Sequence, residues 1–269
     1  FCTIFFWWAF EQAGGSMTIF AADYTDRVLA GNGAMIFKIF NSLITIVPMM
    51  IISYIIYLLN LNIYSVHKLS SGFLISSFLI VWVIIIWMLD REFKIQTTEI
   101  PASWFGILNS FYIIVFAPLI SKIWQSKYNV SGPFKFGFGL ISLAIGFAIL
   151  AYGSISIPLG AKTASVSMIF LILAYFFHTM GELCVSPVGL SYVSKLAPRK
   201  LVGLMFGVWF IANFIANSAA GFTGSYIDPI VEVYGMSVFF LIFTIIPISA
   251  GMIILIANKK IVKMMHGVK

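Results

Sequence analysis

The chain has 269 residues, of which 61% are hydrophobic and 9% charged. Soluble domains carry about 25% charged residues, so these few could not coat a surface facing water. The net charge of +7 is carried by basic residues scattered between apolar runs, which form no basic face and exclude a nucleic-acid partner.

A span of the bilayer needs about 20 mostly apolar residues. In chain order, the sequence predicts eight spans at roughly 1–22, 34–58, 72–89, 101–120, 136–153, 165–195, 201–220 and 237–257. The connecting stretches, such as DREFKIQTTE and SKYNVSGPFK, are too short for a separate soluble domain. The expectation is an all-α, polytopic membrane protein with the lipid bilayer as its surroundings. The chain opens without Met inside the run FCTIFFWWAF, which has neither the flank nor the cleavage site of a signal peptide. It reads as the C-terminal part of something longer.

Alternating spans sort the loops onto two sides. One side holds Lys68, Lys122, Lys127, Lys135, Lys195, Arg199, Lys200, Lys259, Lys260, Lys263 and Lys269. The other holds only Arg27, Lys38, Arg91, Lys94 and Lys162. The Lys and Arg excess predicts that the first side, and with it the C-terminus, is cytoplasmic. Asp23, Asp26, Asp90, Glu92, Glu99, Asp228 and Glu232 fall on the other side, in agreement.

Glu11 and Glu182 remain, each inside a span. A carboxylate at bilayer depth costs at least ~2.5 kcal/mol and marks a functional candidate. Trp7 lies one turn before Glu11, and Gly14, Gly15 and Ser16 follow, allowing close helix approach. Around Glu182 stand His178 at i−4 and Ser186 at i+4. Pro187 then removes a backbone hydrogen bond and should kink the helix. Trp209, Asn213 and Asn217 form a stripe on another span, and Asn109 with Ser110 interrupts a further one. Single Asn residues in spans can be interhelical glue, and His178 can be a packing residue. Cys2 and Cys184 lie in apolar runs without metal or disulfide spacing. No protease, hydrolase, phosphate-loop or dinucleotide motif is found, so neither an enzyme, a cofactor nor a metal is expected.

The stretch GELCVSPVGLSYVSKLAP, 181–198, resembles a signature of the proton-dependent oligopeptide transporter family, a branch of the major facilitator superfamily. WWAFEQAGGSMTIFA (7–21), EIPASWFGILNSFYIIVFAPLISKIW (99–124) and GLMFGVWFIANFIANSAAG (203–221) are similar to its seventh, eighth and eleventh helices. The resemblance implies the C-terminal six-helix bundle of a twelve-helix carrier. An N-terminal half, with its ExxER motif and a basic residue on the fourth helix, would then lie outside this chain. Residues 28–95 depart from the pattern, since two apolar segments joined by NLNIYSVHKLSS stand where the family has a short loop. An inserted two-helix hairpin preserves the parity of the later spans.

What the resemblance further implies is symport of small peptides with protons across the cytoplasmic membrane. Glu11 matches the proton-coupling acid. Glu182 and Asn109 match contacts to the peptide's amino terminus. Ser186, Trp209 and Trp7 match residues lining or near the pocket. Another facilitator-type carrier, for amino acids, nitrate or drugs, and a non-transporting membrane protein are the competing readings.

Overall fold

The computed structural model describes residues 2–127 and 129–266. The chain divides into two compact units, residues 1–26 with 101–269, and residues 27–100.

The first unit is a helical bundle. It begins with α1 (Cys2–Phe10), a 3-10 turn (Glu11–Ala13), α2 (Ser16–Ile19) and a π-helical turn (Phe20–Tyr24). The long helices are α5 (Phe105–Gln125), α6 (Gly132–Gly153), α7 (Ile169–Leu196), α8 (Val202–Gly224) and α10 (Met236–Met264). The short amphipathic α9 (Ile227–Tyr234) precedes α10. Gly235, at φ +87°, turns the chain between these two where a side chain would be strained. Parallel strands β1 (Thr25–Asp26) and β4 (Val166–Ser167) tie two connections together at one end of the bundle.

The core is centred on α6, which packs against α7 and α10. Two glycine pairs explain how closely. A Cβ on Gly139 would sit 2.8 Å from the Gly181 carbonyl, and one on Gly181 would sit 2.7 Å from that of Gly139. Gly137 and Gly251 meet the same way across α6 and α10, at 3.0 and 2.8 Å. Lipid supplies little hydrophobic drive between helices, so backbone approach and van der Waals packing must hold them. Aromatic rings fill what the glycines leave: Phe147 lies 5.3 Å from Phe243, which lies 4.7 Å from Trp8.

The second unit is a helical hairpin. Its base is the antiparallel pair β2 (Val28–Leu29) and β3 (Thr98–Glu99), with an ion pair from Arg27 to Glu99 at 2.6 Å. Its arms are α3 (Gly31–Ile63) and α4 (Lys68–Lys94). At 1.5 Å per residue, α3 is about 50 Å long, more than a bilayer core requires. The two arms are joined by polar contacts within their apolar length. Lys38 is buried and donates to the Ile95 carbonyl. The Asn41 amide donates to Glu92 at 3.2 Å, and the Trp82 indole to Ser53 at 2.9 Å. Glu92, expected in a loop, is therefore part of α4.

Seven helices among the described residues are long and apolar enough to cross a membrane, where the sequence predicted eight spans. The difference is the first. Residues 2–24 are helical in pieces, because Gly15 takes φ −111° and ψ −103°, outside the helical region. Pro187 causes no such break, and α7 runs through it from Ile169 to Leu196.

Candidate functional site

Glu182 lies half-buried on α7, facing α5. The Asn109 amide of α5 donates to its Oε2 at 2.9 Å and to the Thr179 hydroxyl at 3.1 Å. Thr179 in turn donates to the Tyr175 carbonyl at 2.8 Å. One amide thus spans two successive turns of α7, and both its N–H groups are engaged. Aromatic contacts fix the spacing of the two helices: Tyr112 and Phe116 of α5 lie 5.6 and 5.4 Å from Phe176 of α7. The carboxylate opens on a cavity of about 500 Å³ that also reaches Ser186, Pro187, Ser121 and Trp124. A desolvated carboxylate backed by an amide and facing open space suits a cationic ligand group, because charge attraction strengthens as water leaves.

Glu11 stands at the break in the first helix. Its carboxylate has no hydrogen-bond partner among the described residues. The break itself is clamped. Gln12 is 1% exposed and donates to the Ala220 carbonyl at 3.2 Å and to Thr223 Oγ1 at 3.3 Å, both on α8. The Ser16 hydroxyl donates to Gln12 Oε1 at 2.7 Å, bridging the interruption. The Trp8 indole reaches the same Thr223 at 3.0 Å. Opposite, the Tyr175 hydroxyl donates to the Ala13 carbonyl at 3.3 Å. Buried backbone groups freed by a break need such partners at membrane depth.

The sequence did not single out Gln12, Thr223 or Tyr175. Gln12 carried a signal, a second polar residue beside Glu11 inside a span. Its partners, some 208 residues on, carried none.

The other predicted residues are placed differently. Ser186 lines the same cavity as Glu182. Trp209 lines another cavity, of about 540 Å³, together with Cys2, Tyr192 and Met205. Its ring lies so close to Gly189 that a Cβ there would come within 2.1 Å. Trp7 packs edge-on against Phe6 and Phe10, each at 5.4 Å, and its indole N–H finds no partner. Asn217 donates to the Asn213 carbonyl of its own helix at 2.9 Å, so this bond joins no second helix. His178 is 1% exposed, and among the described residues neither ring nitrogen has a partner. Among the described residues no cluster of His, Cys, Asp or Glu could hold a metal.

Comparison with known proteins places this arrangement. The chain is 29% identical over 227 residues to the peptide transporter YePEPT of Yersinia enterocolitica, covering 83% of this chain and 31% of the relative. It is 33% identical over 175 residues to a di-/tripeptide transporter of Lactococcus lactis, covering 64% of this chain and 34% of that one. The chain spans about a third of the length of the curated relatives it matches. Among solved structures, a POT family transporter in complex with a thioalcohol-conjugated peptide superposes with a TM-score of 0.64 at 22% identity, covering 97% of this chain and 39% of that one. A mutant of a peptide transporter POT bound to alafosfalin gives 0.66 at 20%, covering 99% and 40%. These structures share the fold, which is of the major facilitator type. Residues 80–242, more than half of the chain, match the PTR2 profile of the POT family, and the chain belongs to that family.

Proposed function

We propose that the intact protein carries di- and tripeptides together with protons across the cytoplasmic membrane by alternating access. This chain supplies one half of the carrier, and a second six-helix half lies outside it. The observation that carries the reading is the Glu182 carboxylate, held by Asn109 and facing a cavity, in a chain of a family whose relatives are named peptide transporters.

Glu182 receives the peptide's ammonium group, and Asn109 positions the carboxylate and contacts the same end. Ser186 lines the same cavity as Glu182, whereas Trp209 borders a separate cavity and Trp7 packs within the first helix, so their part in the pocket awaits the second half of the carrier. Glu11 carries the coupling proton. Without a hydrogen-bond partner among the described residues, it is free to bind a cation from the other half in one conformation and a proton in the other. Proton occupancy is thereby tied to the side that the site faces, and rocking of the two halves moves the peptide. The C-terminus lies in the cytoplasm, a reading that the Lys and Arg excess on that side supports. Residues 28–95 form a hairpin inserted between the family's seventh and eighth helices, which leaves the order of the other spans intact.

The test is uptake of a labelled dipeptide by cells expressing the complete protein. Glu11→Gln should abolish accumulation driven by a proton gradient while peptide binding and peptide exchange persist. Undiminished proton-driven accumulation in that variant refutes the role of Glu11. Wild-type protein that moves an amino acid or nitrate but no peptide refutes the substrate class.

A further inference from the structure

Thr179 lies on α7 three residues before Glu182 and is 0% exposed. Residues three apart on a helix share a face, so both side chains meet α5 together. The Thr179 hydroxyl is paired twice. Its proton goes to the Tyr175 carbonyl at 2.8 Å, an atom that can only accept. Its lone pairs are left for the neighbouring helix, and the Asn109 amide donates to the hydroxyl oxygen at 3.1 Å. A valine of the same shape would fill this place but could accept nothing from α5.

Asn109 needs such an anchor. It lines a cavity of about 330 Å³, and its partner Glu182 lines the one of about 500 Å³, so packing alone leaves the amide room to swing. Its Nδ2 carries two N–H groups, and α7 supplies an acceptor for each, Thr179 Oγ1 and Glu182 Oε2. Two acceptors on one helix face fix the plane of the amide as well as its direction. Turning it over would put Oδ1 in the place of Nδ2, 2.9 Å from a carboxylate oxygen, and would draw the Thr179 proton off the Tyr175 carbonyl. Glu182 Oε2 is thereby committed to Asn109, while Oε1 has no partner among the described residues.

We propose that Thr179 is a positioning residue of the ligand site: by accepting one N–H of Asn109 it confines the other to Glu182 Oε2, and so holds the carboxylate with Oε1 offered to a cationic ligand group. Thr179 is buried away from the ligand and acts through Asn109. The inference deepens the reading of Glu182 as the ammonium-binding group. It rests on that reading for its functional consequence, though not for the hydrogen bond that fixes the amide.

The anchoring and its consequence are read separately. In cells expressing the complete protein, Thr179→Val keeps the shape and drops the hydroxyl. It should raise KM for a labelled dipeptide about tenfold, with kcat within about twofold of wild type. Thr179→Ser keeps the hydroxyl and drops a methyl, and should return KM to within about twofold of wild type. Equal KM values in wild type and Thr179→Val overturn the positioning role. So does a Thr179→Ser KM as high as that of Thr179→Val, because the methyl would then carry the effect. Should Thr179→Val not fold, Thr179→Ala against Thr179→Ser isolates the hydroxyl, since both lack the methyl, and equal KM values in that pair overturn the role. The anchoring is read by NMR of the intact protein in nanodiscs, with the Asn109 side-chain amide isotope-labelled and assigned by its loss in Asn109→Asp. Loss of the hydroxyl, in either comparison, should shift the resonance of the proton that Thr179 accepts. Unchanged Asn109 amide resonances overturn the anchoring, whatever the protein transports. A wild-type protein that moves no peptide defeats the transport reading and leaves the NMR result standing.

Discussion

Replacing Gln12 with Met tests whether the interrupted first helix is held by side-chain hydrogen bonds or by packing alone. Met matches the length of Gln and can occupy its slot without opening a cavity. It removes donors to the Ala220 carbonyl and Thr223 Oγ1 and the acceptor for Ser16. Side-chain hydrogen bonds in membrane bundles contribute about 0.6 kcal/mol each on average and up to about 1.7 kcal/mol. Three of them give a loss of about 2–5 kcal/mol. Water cannot compensate at a side chain that is 1% exposed. Unfolding of the purified protein in mixed micelles reads the loss directly. Thr223→Val, which also deprives Trp8 of its acceptor, should couple to Gln12→Met by about 0.5–3 kcal/mol in a double-mutant cycle. A Gln12→Met protein within about 0.5 kcal/mol of wild type would show the break to be set by Gly14 and Gly15 alone, and the clamp to be incidental.

Two further outcomes follow from the packing. Gly139→Leu places a Cβ 2.6 Å from Val185 Cγ2 and 2.8 Å from the Gly181 carbonyl, so α6 and α7 must part. The expected cost is about 1–3 kcal/mol in the same unfolding assay, whereas Gly207→Ala, with open space around it on α8, should be neutral or stabilising by up to about 1 kcal/mol. For the hairpin, Val28 and Glu99 are paired, and paired antiparallel residues have Cα atoms about 5 Å apart. A short turn replacing residues 29–98 should therefore leave peptide uptake in cells intact. Its loss, with the variant correctly inserted, would give the hairpin a part in transport.

Seven of the eight predicted spans could be read from hydropathy, because it records what lipid demands of each helix separately. The family resemblance likewise located Glu182 and Asn109, which the structure joins by a hydrogen bond. Long-range pairings were not legible. Gln12 looks like any polar residue in a span until α8 presents Ala220 and Thr223 to it. Lys38 likewise looks like a loop-proximal charge until the end of α4 presents the Ile95 carbonyl, to which it donates while buried.

These misses share a cause. In water, a polar group left over by secondary structure can be solvated, so its partner need not be encoded. Inside a bilayer each such group must find a partner in the protein or in trapped water. The partner is chosen by tertiary approach, which composition and periodicity do not record. Glycines set that approach here. Gly139 with Gly181 and Gly137 with Gly251 bring α6 to its neighbours, and Gly146 on the same helix admits the His178 ring. In sequence these glycines look like weak points of a helix. In the bundle they decide which polar side chains meet.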